Sequence, residues 1–231
     1  MRFSPFHSRP SFDPNDLVST NFVSIFEPNS SIKGRWIINT SLMPPAALLA
    51  PIIDPGDIRP NLELGSQNGS INASVWLQGP DKDRAILDCS STNGNVHLTI
   101  DSRRSQKVGI RVRTHNGSIK VFLPQGFYGP IEHRTQNGTV TFSPALRSSV
   151  TTISTSEGIG RSFVGNLNLG NLRRDSEMAP DAVASRSSAA VPIWKGDALE
   201  ATTLNGSIYF AFEDEARGPM AFTQIFNRIS G

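Results

Sequence analysis

The dipeptide Asn-Gly occurs five times in this chain of 231 residues, and its spacing is regular. The copies are Asn68-Gly69, Asn93-Gly94, Asn116-Gly117, Asn137-Gly138 and Asn205-Gly206. The first four follow one another at intervals of 25, 23 and 21 residues. Self-similarity at a period of roughly 20–50 residues is typical of proteins built from stacked repeats. Each Asn-Gly with its flanking residues is named a repeat unit below.

Every second residue on either side of the Asn is apolar or small. Six residues before the Asn stand Leu62, Leu87, Ile110, Ile131 and Leu199, and three after it stand Ile71, Val96, Ile119, Val140 and Ile208. Two before it stand Ser66, Ser91, Thr114, Thr135 and Thr203. A period of two predicts extended strands with one buried face. Asn-Gly is typical of a tight corner between two strands, and we expect Gly117 to have a positive φ there.

Two all-β folds account for this pattern. One is a single-stranded β-solenoid of six or seven coils with Asn-Gly corners, and the alternative is an antiparallel β-sandwich of Asn-Gly hairpins. We favour the solenoid because the same residue type recurs at the same depth in each repeat unit. A sixth copy is centred on Asn29, and the segment 148–171 is the candidate for a seventh. The register between 148 and 198 is left open.

Three repeat units contain the sequence Asn-Gly-Ser-Ile, at residues 68–71, 116–119 and 205–208. They resemble the NGSI-type repeats of bacterial adhesin-like proteins of the head-GIN-domain group. Residues 31–36 have the sequence SIKGRW, followed by a Pro-rich stretch and by Asn61-Leu62-Glu63-Leu64, and this combination resembles a group of fungal proteins of unknown function. The resemblance covers about Leu17 to Glu213. It implies a β-solenoid and supplies no activity, catalytic residue or cofactor.

The chain is expected to hold one domain, 17–231, after a loose N-terminal tail, 1–16. Within that domain we predict a Pro-rich cap segment at 42–60, an exposed polar insertion at 173–190 and a C-terminal cap at 219–231. Caps are expected because the end coils of a solenoid expose unpaired strand edges.

Composition limits the class of partner and the compartment. The net charge is +2, from 22 basic and 20 acidic residues, which argues against a dedicated nucleic-acid or membrane-surface binder. Cys89 is the one cysteine and falls on an inward column, so we expect a buried thiol. The N-terminus has no apolar run of signal-peptide length, and the apolar residues 42–53 are too few to span a bilayer. The sequence therefore predicts a cytoplasmic protein with no transmembrane segment.

The sequence contains no motif that predicts a catalytic, cofactor or metal site. His97, His115 and His133 have different phases in their repeat units and are not expected to form one ligand set. Glu63 and Asp88, however, are predicted neighbours in one outward column, ~4.8 Å apart. Glycosidases use two carboxyls ~5–9 Å apart. The column continues with a basic and an acidic residue, so we favour a structural charge ladder over an active site.

A basic cluster is the candidate surface for an anionic partner. Its members are Arg103, Arg104, Lys107, Arg111, Arg113 and Arg134. Taken together, the residues predict a non-enzymatic scaffold or adhesin-like interaction module whose partner is a protein or a glycan. The alternative is a carbohydrate-binding or carbohydrate-active β-helix that uses Glu63 and Asp88.

Overall fold

The computed structural model of the chain describes residues 17–49, 58–80, 83–102, 106–156, 158–166 and 194–215. Within these ranges the regular secondary structure is strand, apart from one short helix, α1 (Pro144–Arg147), and a 3-10 turn at Ala46–Leu48. The strands are β1 (Ser19–Thr20), β2 (Val23–Glu27), β3 (Ile32–Asn39), β4 (Leu62–Ser66), β5 (Ile71–Gln78), β6 (Ala85–Ser91), β7 (Val96–Ser102), β8 (Val108–Thr114), β9 (Ile119–Leu123), β10 (Gly129–Thr135), β11 (Val140–Phe142), β12 (Val150–Ser156), β13 (Ile159–Val164), β14 (Ala198–Thr203) and β15 (Ile208–Phe212).

The described strands form two sheets with the core between them. The seven-stranded sheet has the order β1-β3-β5-β7-β9-β15-β11, and the eight-stranded sheet has the order β12-β13-β10-β14-β8-β6-β4-β2. Neighbouring strands are parallel, except that β13 is antiparallel to both β10 and β12. The fold is therefore all-β, with two sheets of mostly parallel strands.

The two strands of one repeat unit lie in different sheets. Strands β4 and β5 flank Asn68, but β4 pairs with β6, where Leu62 is opposite Leu87, and β5 pairs with β7, where Ile71 is opposite Val96. The alternative prediction of antiparallel Asn-Gly hairpins is wrong, because no strand pairs with its neighbour across the corner in the described units. The upstream copy centred on Asn29 is present in the predicted register.

The last repeat unit does not follow the chain order. Strands β14 and β15, which flank Asn205, lie between β8–β9 and β10–β11. Ile208 is consequently opposite Ile119 on one side and Val140 on the other. The order of the repeat units in the chain would make Val140 the direct neighbour of Ile119, but Ile208 lies between them.

The segment after β11 is not a seventh repeat unit. Strands β12 and β13 are antiparallel to each other, and Gly160 of β13 is opposite His133 of β10. Gly158, between the two strands, has a φ of +79°, which favours glycine. An antiparallel pair has the same period of two as a parallel one, so the pattern of apolar residues could not reveal this reversal.

The core consists of the inward residues of both sheets. Leu64, Cys89, Val112 and Ala201 form one inward row in the eight-stranded sheet, and each is fully buried. The expected burial of Cys89 is confirmed, and burial raises the pKa of its thiol. Inward residues of the two sheets belong to a single apolar cluster.

The corner asparagines form a continuous ladder of side-chain amides. In each step Nδ2 of one Asn donates to Oδ1 of the Asn before it in the ladder, at 2.7–2.9 Å. The order along the ladder is Asn29, Asn68, Asn93, Asn116, Asn205 and Asn137. The ladder follows the spatial order of the repeat units, including the inserted one.

The corner glycines are required by close packing of one unit on the next. The described glycines with a positive φ are Gly79, Gly158 and Gly165, so the expected positive φ of Gly117 is wrong. A Cβ on Gly117 would instead overlap the carbonyl oxygen of Gly94 and lie 2.6 Å from its carbonyl carbon. The other corner glycines face the preceding unit's carbonyl in the same way.

The hydroxyl two residues before each Asn satisfies that same carbonyl. Thr114 Oγ1 donates to the Gly94 oxygen at 2.9 Å, and Thr203 Oγ1 donates to the Gly117 oxygen at 2.9 Å. Ser91 and Thr135 make the equivalent bonds. These hydroxyls are buried. Each donates a hydrogen bond to a carbonyl oxygen that would lose free energy of folding if it were left without a partner inside the protein.

Several predicted segments fall on residues outside the described ranges: the tail 1–16, the insertion 173–190 and the cap 219–231. The cap segment 42–60 is described at 42–49 and 58–60. Its carbonyl at Leu42 accepts from Asn21 Nδ2 at 2.8 Å, and the Met43 and Leu48 side chains are largely exposed. Its capping role stays a prediction.

Candidate functional site

The outer surface of the eight-stranded sheet collects most of the charged residues that the sequence analysis singled out. We name it the charged face; its residues are Glu63, Asp88, Arg111, Arg113, Glu132, Arg134, Arg161 and Glu200. They point outward because they alternate with buried residues along β4, β6, β8, β10, β13 and β14. The parallel register places these charged residues side by side on neighbouring strands, so they form a flat array of charged side chains.

Asp88 is the centre of this face. Arg113 Nη2 donates to both of its carboxylate oxygens, at 3.3 and 3.2 Å, and Arg111 Nη1 lies 3.6 Å from Oδ2. The Asp88 side chain is only 12% exposed, whereas both guanidinium side chains are about half exposed. Burial raises the pKa of the Asp88 carboxyl, and Arg113 and then Arg111 oppose that rise. Asp88 is thus a largely buried carboxylate paired with two arginines.

Two further ion pairs join neighbouring strands of the face. Arg111 Nε lies 3.5 Å from Oε2 of Glu200 in β14. The sequence analysis did not predict that β14 lies beside β8. Arg161 Nε donates to Glu132 at 3.1 Å. Opposite charges on adjacent strands stabilise a wet sheet face modestly, by ~0–1 kcal/mol for each exposed pair. The face carries both signs in equal number and has no single-sign field.

The two carboxylates proposed for the enzymatic alternative are neighbours, as expected. Glu63 is directly opposite Asp88, and Ser24 Oγ donates to Glu63 at 2.8 Å. One exposed aromatic side chain, Phe26, lies on the same surface, opposite Gly65 of β4 and two residues beyond Ser24. A separate aromatic pair, His97 and Phe122 with ring centroids 5.0 Å apart, lies on the outer surface of the seven-stranded sheet, on the other side of the core. The structure therefore brings the two carboxylates together with one exposed aromatic ring on the same surface.

The predicted patch for an anionic partner is divided. Arg111 and Arg113 are bonded to Asp88. Arg113 and Arg134 share a column, but Thr202 of β14 lies between them. Arg103 and Arg104 lie outside the described residues, and Lys107 lies just before β8 rather than on the face.

Asp197 is a site residue that the sequence analysis missed. It precedes β14 and bonds to both neighbouring strands: Oδ1 accepts the Val108 N–H at 2.8 Å and Oδ2 accepts the Tyr128 N–H at 2.9 Å. Burial raises the pKa of its carboxyl, and the N–H donors of Tyr128 and Val108 oppose the rise. The carboxylate therefore joins the starts of β8 and β10 to the inserted unit.

An aromatic cluster packs beside this carboxylate. Tyr128 contacts Phe163 and Trp194, with ring centroids 5.1 and 6.0 Å apart, and Phe163 contacts Trp194 at 5.6 Å. These residues lie outside the repeat columns. In the sequence, the cluster was indicated only by Trp194, an aromatic residue shortly after the predicted insertion. Periodicity could not identify them.

The histidines do not meet. His133 is buried against Phe142 and Phe210, and its Nδ1 has no hydrogen-bond partner. In the part of the chain that the structure describes, no group of three His, Cys, Asp or Glu side chains is arranged to hold a metal ion.

Over the same residues, none of the helices has the length and apolar character needed to cross a membrane.

Comparison with known families gives one match, to a domain of unknown function, DUF7330, over residues 21–215. Comparison with curated proteins and with solved structures gives no match. The matched range begins just before β2 and ends three residues after β15, so it contains all six repeat units.

Proposed function

The chain belongs to the DUF7330 family, a domain of unknown function, and we propose that it is a non-enzymatic β-solenoid that serves as a scaffold or adhesin-like interaction module. The solenoid is supported by the parallel pairing of each repeat unit with the next in one constant register. The amide ladder and the hydroxyl-to-glycine bonds support it further, because they recur at every corner. Its cytoplasmic location stays a prediction from the sequence.

The observation that carries the proposed function is the charged face. Asp88, Glu132 and Glu200 are each paired with an arginine of a neighbouring strand, and Asp88, the most buried carboxylate of the face, is held by two guanidinium groups. A general acid needs a pKa tuned for proton transfer and shielding from water. The two guanidinium groups instead oppose the rise in the pKa of Asp88, and the side chains of the other two pairs are about half exposed. A rigid array of both signs favours a protein surface with the complementary pattern, since matched charges give specificity and register.

The experiment exchanges one ion pair without changing the net charge. Glu132→Arg combined with Arg161→Glu keeps a pair at that position but inverts the pattern that a partner would meet. The exchange is compatible with the fold, because Glu200 is opposite position 132 and would then face a positive side chain. Wild-type and exchanged proteins are immobilised, and the proteins that they retain from an extract of the native organism are quantified.

We expect the wild-type protein to retain at least one protein that the exchanged protein retains at least tenfold more weakly, a difference of about 1.4 kcal/mol. Lys120→Gln is the control, since Lys120 is exposed on the outer surface of the other sheet and its substitution should leave retention unchanged. Equal retention by all three proteins would contradict the use of the charged face.

The carbohydrate alternative is tested separately with Glu63→Gln and Asp88→Asn. If the face binds or cleaves glycans, binding to a glycan array or release of reducing ends should occur with the wild-type protein and be lost in these variants. We rank this function second because two guanidinium groups hold the Asp88 carboxylate, which is therefore already paired within the protein.

A further inference from the structure

The inserted repeat unit occupies a slot between two other units. Strand β14 pairs with β8 on one side and β10 on the other, and β15 pairs likewise with β9 and β11. The units on either side of the slot are consecutive in the chain, with Asn116 and Asn137 as their corners. The slot is therefore formed by residues 108–142 and filled from a distant segment, residues 194–215, which we name the insert segment.

The insert segment makes the same kinds of contact with its two neighbours that join the other repeat units to one another. Thr203 Oγ1 donates to the Gly117 oxygen, and Thr135 Oγ1 donates to the Gly206 oxygen, each at 2.9 Å. Asn205 bonds to the asparagine on each side of it. The backbone ladders on both edges add pairing that does not depend on which chain supplies the strand.

The insert segment also carries its own anchors. Asp197 accepts from the N–H groups of Val108 and Tyr128, which belong to the two sides of the slot. Trp194 packs on Tyr128 and Phe163. Most of the contacts that seat the segment therefore come from the slot, and Ser143 and Phe163 add contacts from residues that follow it in the chain.

The connection between the two described ends is 27 residues long. The described chain leaves at Asn166, whose carbonyl accepts from Tyr128 Oη at 3.1 Å, and returns at Trp194, which contacts the same tyrosine ring. Residues 167–193 join these points, and a chain of that length can span up to roughly 90 Å. That reach is long enough for the segment to enter a neighbouring molecule.

We propose that the insert segment is exchangeable, and that residues 194–215 of one copy fill the slot of a second copy in a reciprocal, domain-swapped dimer. The partner is a second copy of this chain because the slot's register, hydroxyl column and asparagine ladder match this chain's own repeat unit. Exchange of an identical element forms the same contacts in the dimer as in the monomer, so the dimer differs mainly in the connection.

The competition between the monomer and the exchanged dimer determines the protein concentration at which the test is made. A tethered segment has an effective concentration of order ~mM for a flexible connection, so exchange competes when the protein is refolded near that concentration. Full-length wild-type protein is unfolded in denaturant and refolded at a series of concentrations, and its mass is measured by size-exclusion chromatography with light scattering. We expect a dimer whose fraction rises with the refolding concentration and which separates only slowly on dilution.

A cysteine pair distinguishes an exchanged dimer from any other dimer. Asn137→Cys with Asn205→Cys places cysteines at stacked corners, two residues beyond the parallel pair Thr135 and Thr203, where Cα atoms ~4.8 Å apart are within the range for a disulfide. After oxidation of the isolated dimer, denaturing non-reducing electrophoresis should show a covalent dimer, and the isolated monomer should show none. Asn205→Cys alone is the control, and it should give no such linkage because the native Cys89 is buried.

Two outcomes would overturn the proposal. One is a wild-type protein that remains monomeric at every refolding concentration, a result that needs no variant to fold. The other is a dimer in which the cysteine pair closes within each chain, which would place the insert segment in its own slot.

Discussion

Nδ2 of Asn205 donates to Oδ1 of Asn116 at 2.7 Å, although 89 residues separate them in the chain. This bond places the last Asn-Gly next to the third of the regular series, ahead of Asn137. The amide ladder is thus continuous in space where it is discontinuous in sequence. The inserted unit makes the same corner amide bonds as the units that follow the chain order.

Substitution at the corner glycine tests close packing against backbone conformation. Gly117→Ala should destabilise the protein by ~1–3 kcal/mol, because even one methyl group would overlap the Gly94 carbonyl. Gly126→Ala is the matched control, since a Cβ there meets nothing within 4 Å. Chemical denaturation of both variants gives the comparison. A Gly117→Ala variant as stable as Gly126→Ala would show that the units do not stack this closely.

Removal of a corner hydroxyl should leave a buried carbonyl without its side-chain donor. Thr114→Val keeps the shape of the side chain but removes the donor to the Gly94 oxygen, and we expect a loss of ~1–3 kcal/mol. Thr99→Val, on the outward side of β7, should change the free energy of unfolding by no more than ~0.5 kcal/mol. Equal losses at the two positions would contradict the role assigned to the hydroxyl column.

The parity of the strands predicts a large difference between adjacent residues of β9. Ile119 is fully buried between Val96 and Ile208, and Ile119→Ala should cost ~2–5 kcal/mol. Lys120→Ala, which faces solvent, should stay within ~0.5 kcal/mol. Denaturant midpoints measured under identical conditions decide the matter, and similar midpoints would mean that the buried face has been misassigned.

His133 predicts a loss of stability at mildly acidic pH. Burial lowers the pKa of its imidazole below the ordinary 6.5, an effect that Glu132 opposes. The unfolded chain therefore takes up a proton more readily at this residue. The stability that neutral His133 contributes is present above pH 6.5 and is lost as the pH falls through the lowered pKa of the folded state.

His133→Leu should remove this pH dependence. Between about pH 7.5 and about pH 5.5 the wild-type protein should lose more unfolding free energy than the variant. His97→Gln is the comparison variant, because burial and Lys120 lower the pKa of His97 too, and its removal should leave the His133 share in place. Parallel stability curves for wild type and His133→Leu would count against a buried neutral imidazole.

The strands and their register could be predicted because both depend on local alternation. Val23 opposite Leu62, and Ile71 opposite Val96, follow directly from alignment of the repeat units on their asparagines. The site of insertion could not be predicted in that way. The apolar columns fit equally well whether β10 follows β8 directly or with β14 between them.

The contacts that decide the insertion lie outside the periodic positions. Asp197, Tyr128 and Trp194 belong to connections rather than to columns, and their meeting depends on the tertiary fold. The role of the corner glycine was mistaken for a related reason. Glycine satisfies both a positive φ and a close approach, and sequence alone does not distinguish the two.

The amide ladder gives the molecule a polarity. Every Nδ2 donates toward Asn29, so the side-chain dipoles add in one direction, and each bond polarises the next. The ladder presents a donor end at Asn29 and an acceptor end at Asn137. A further chain that extended the ladder through side-chain amide bonds would have to join it head to tail. Its amide oxygen would face Asn29, or its amide N–H would face Asn137.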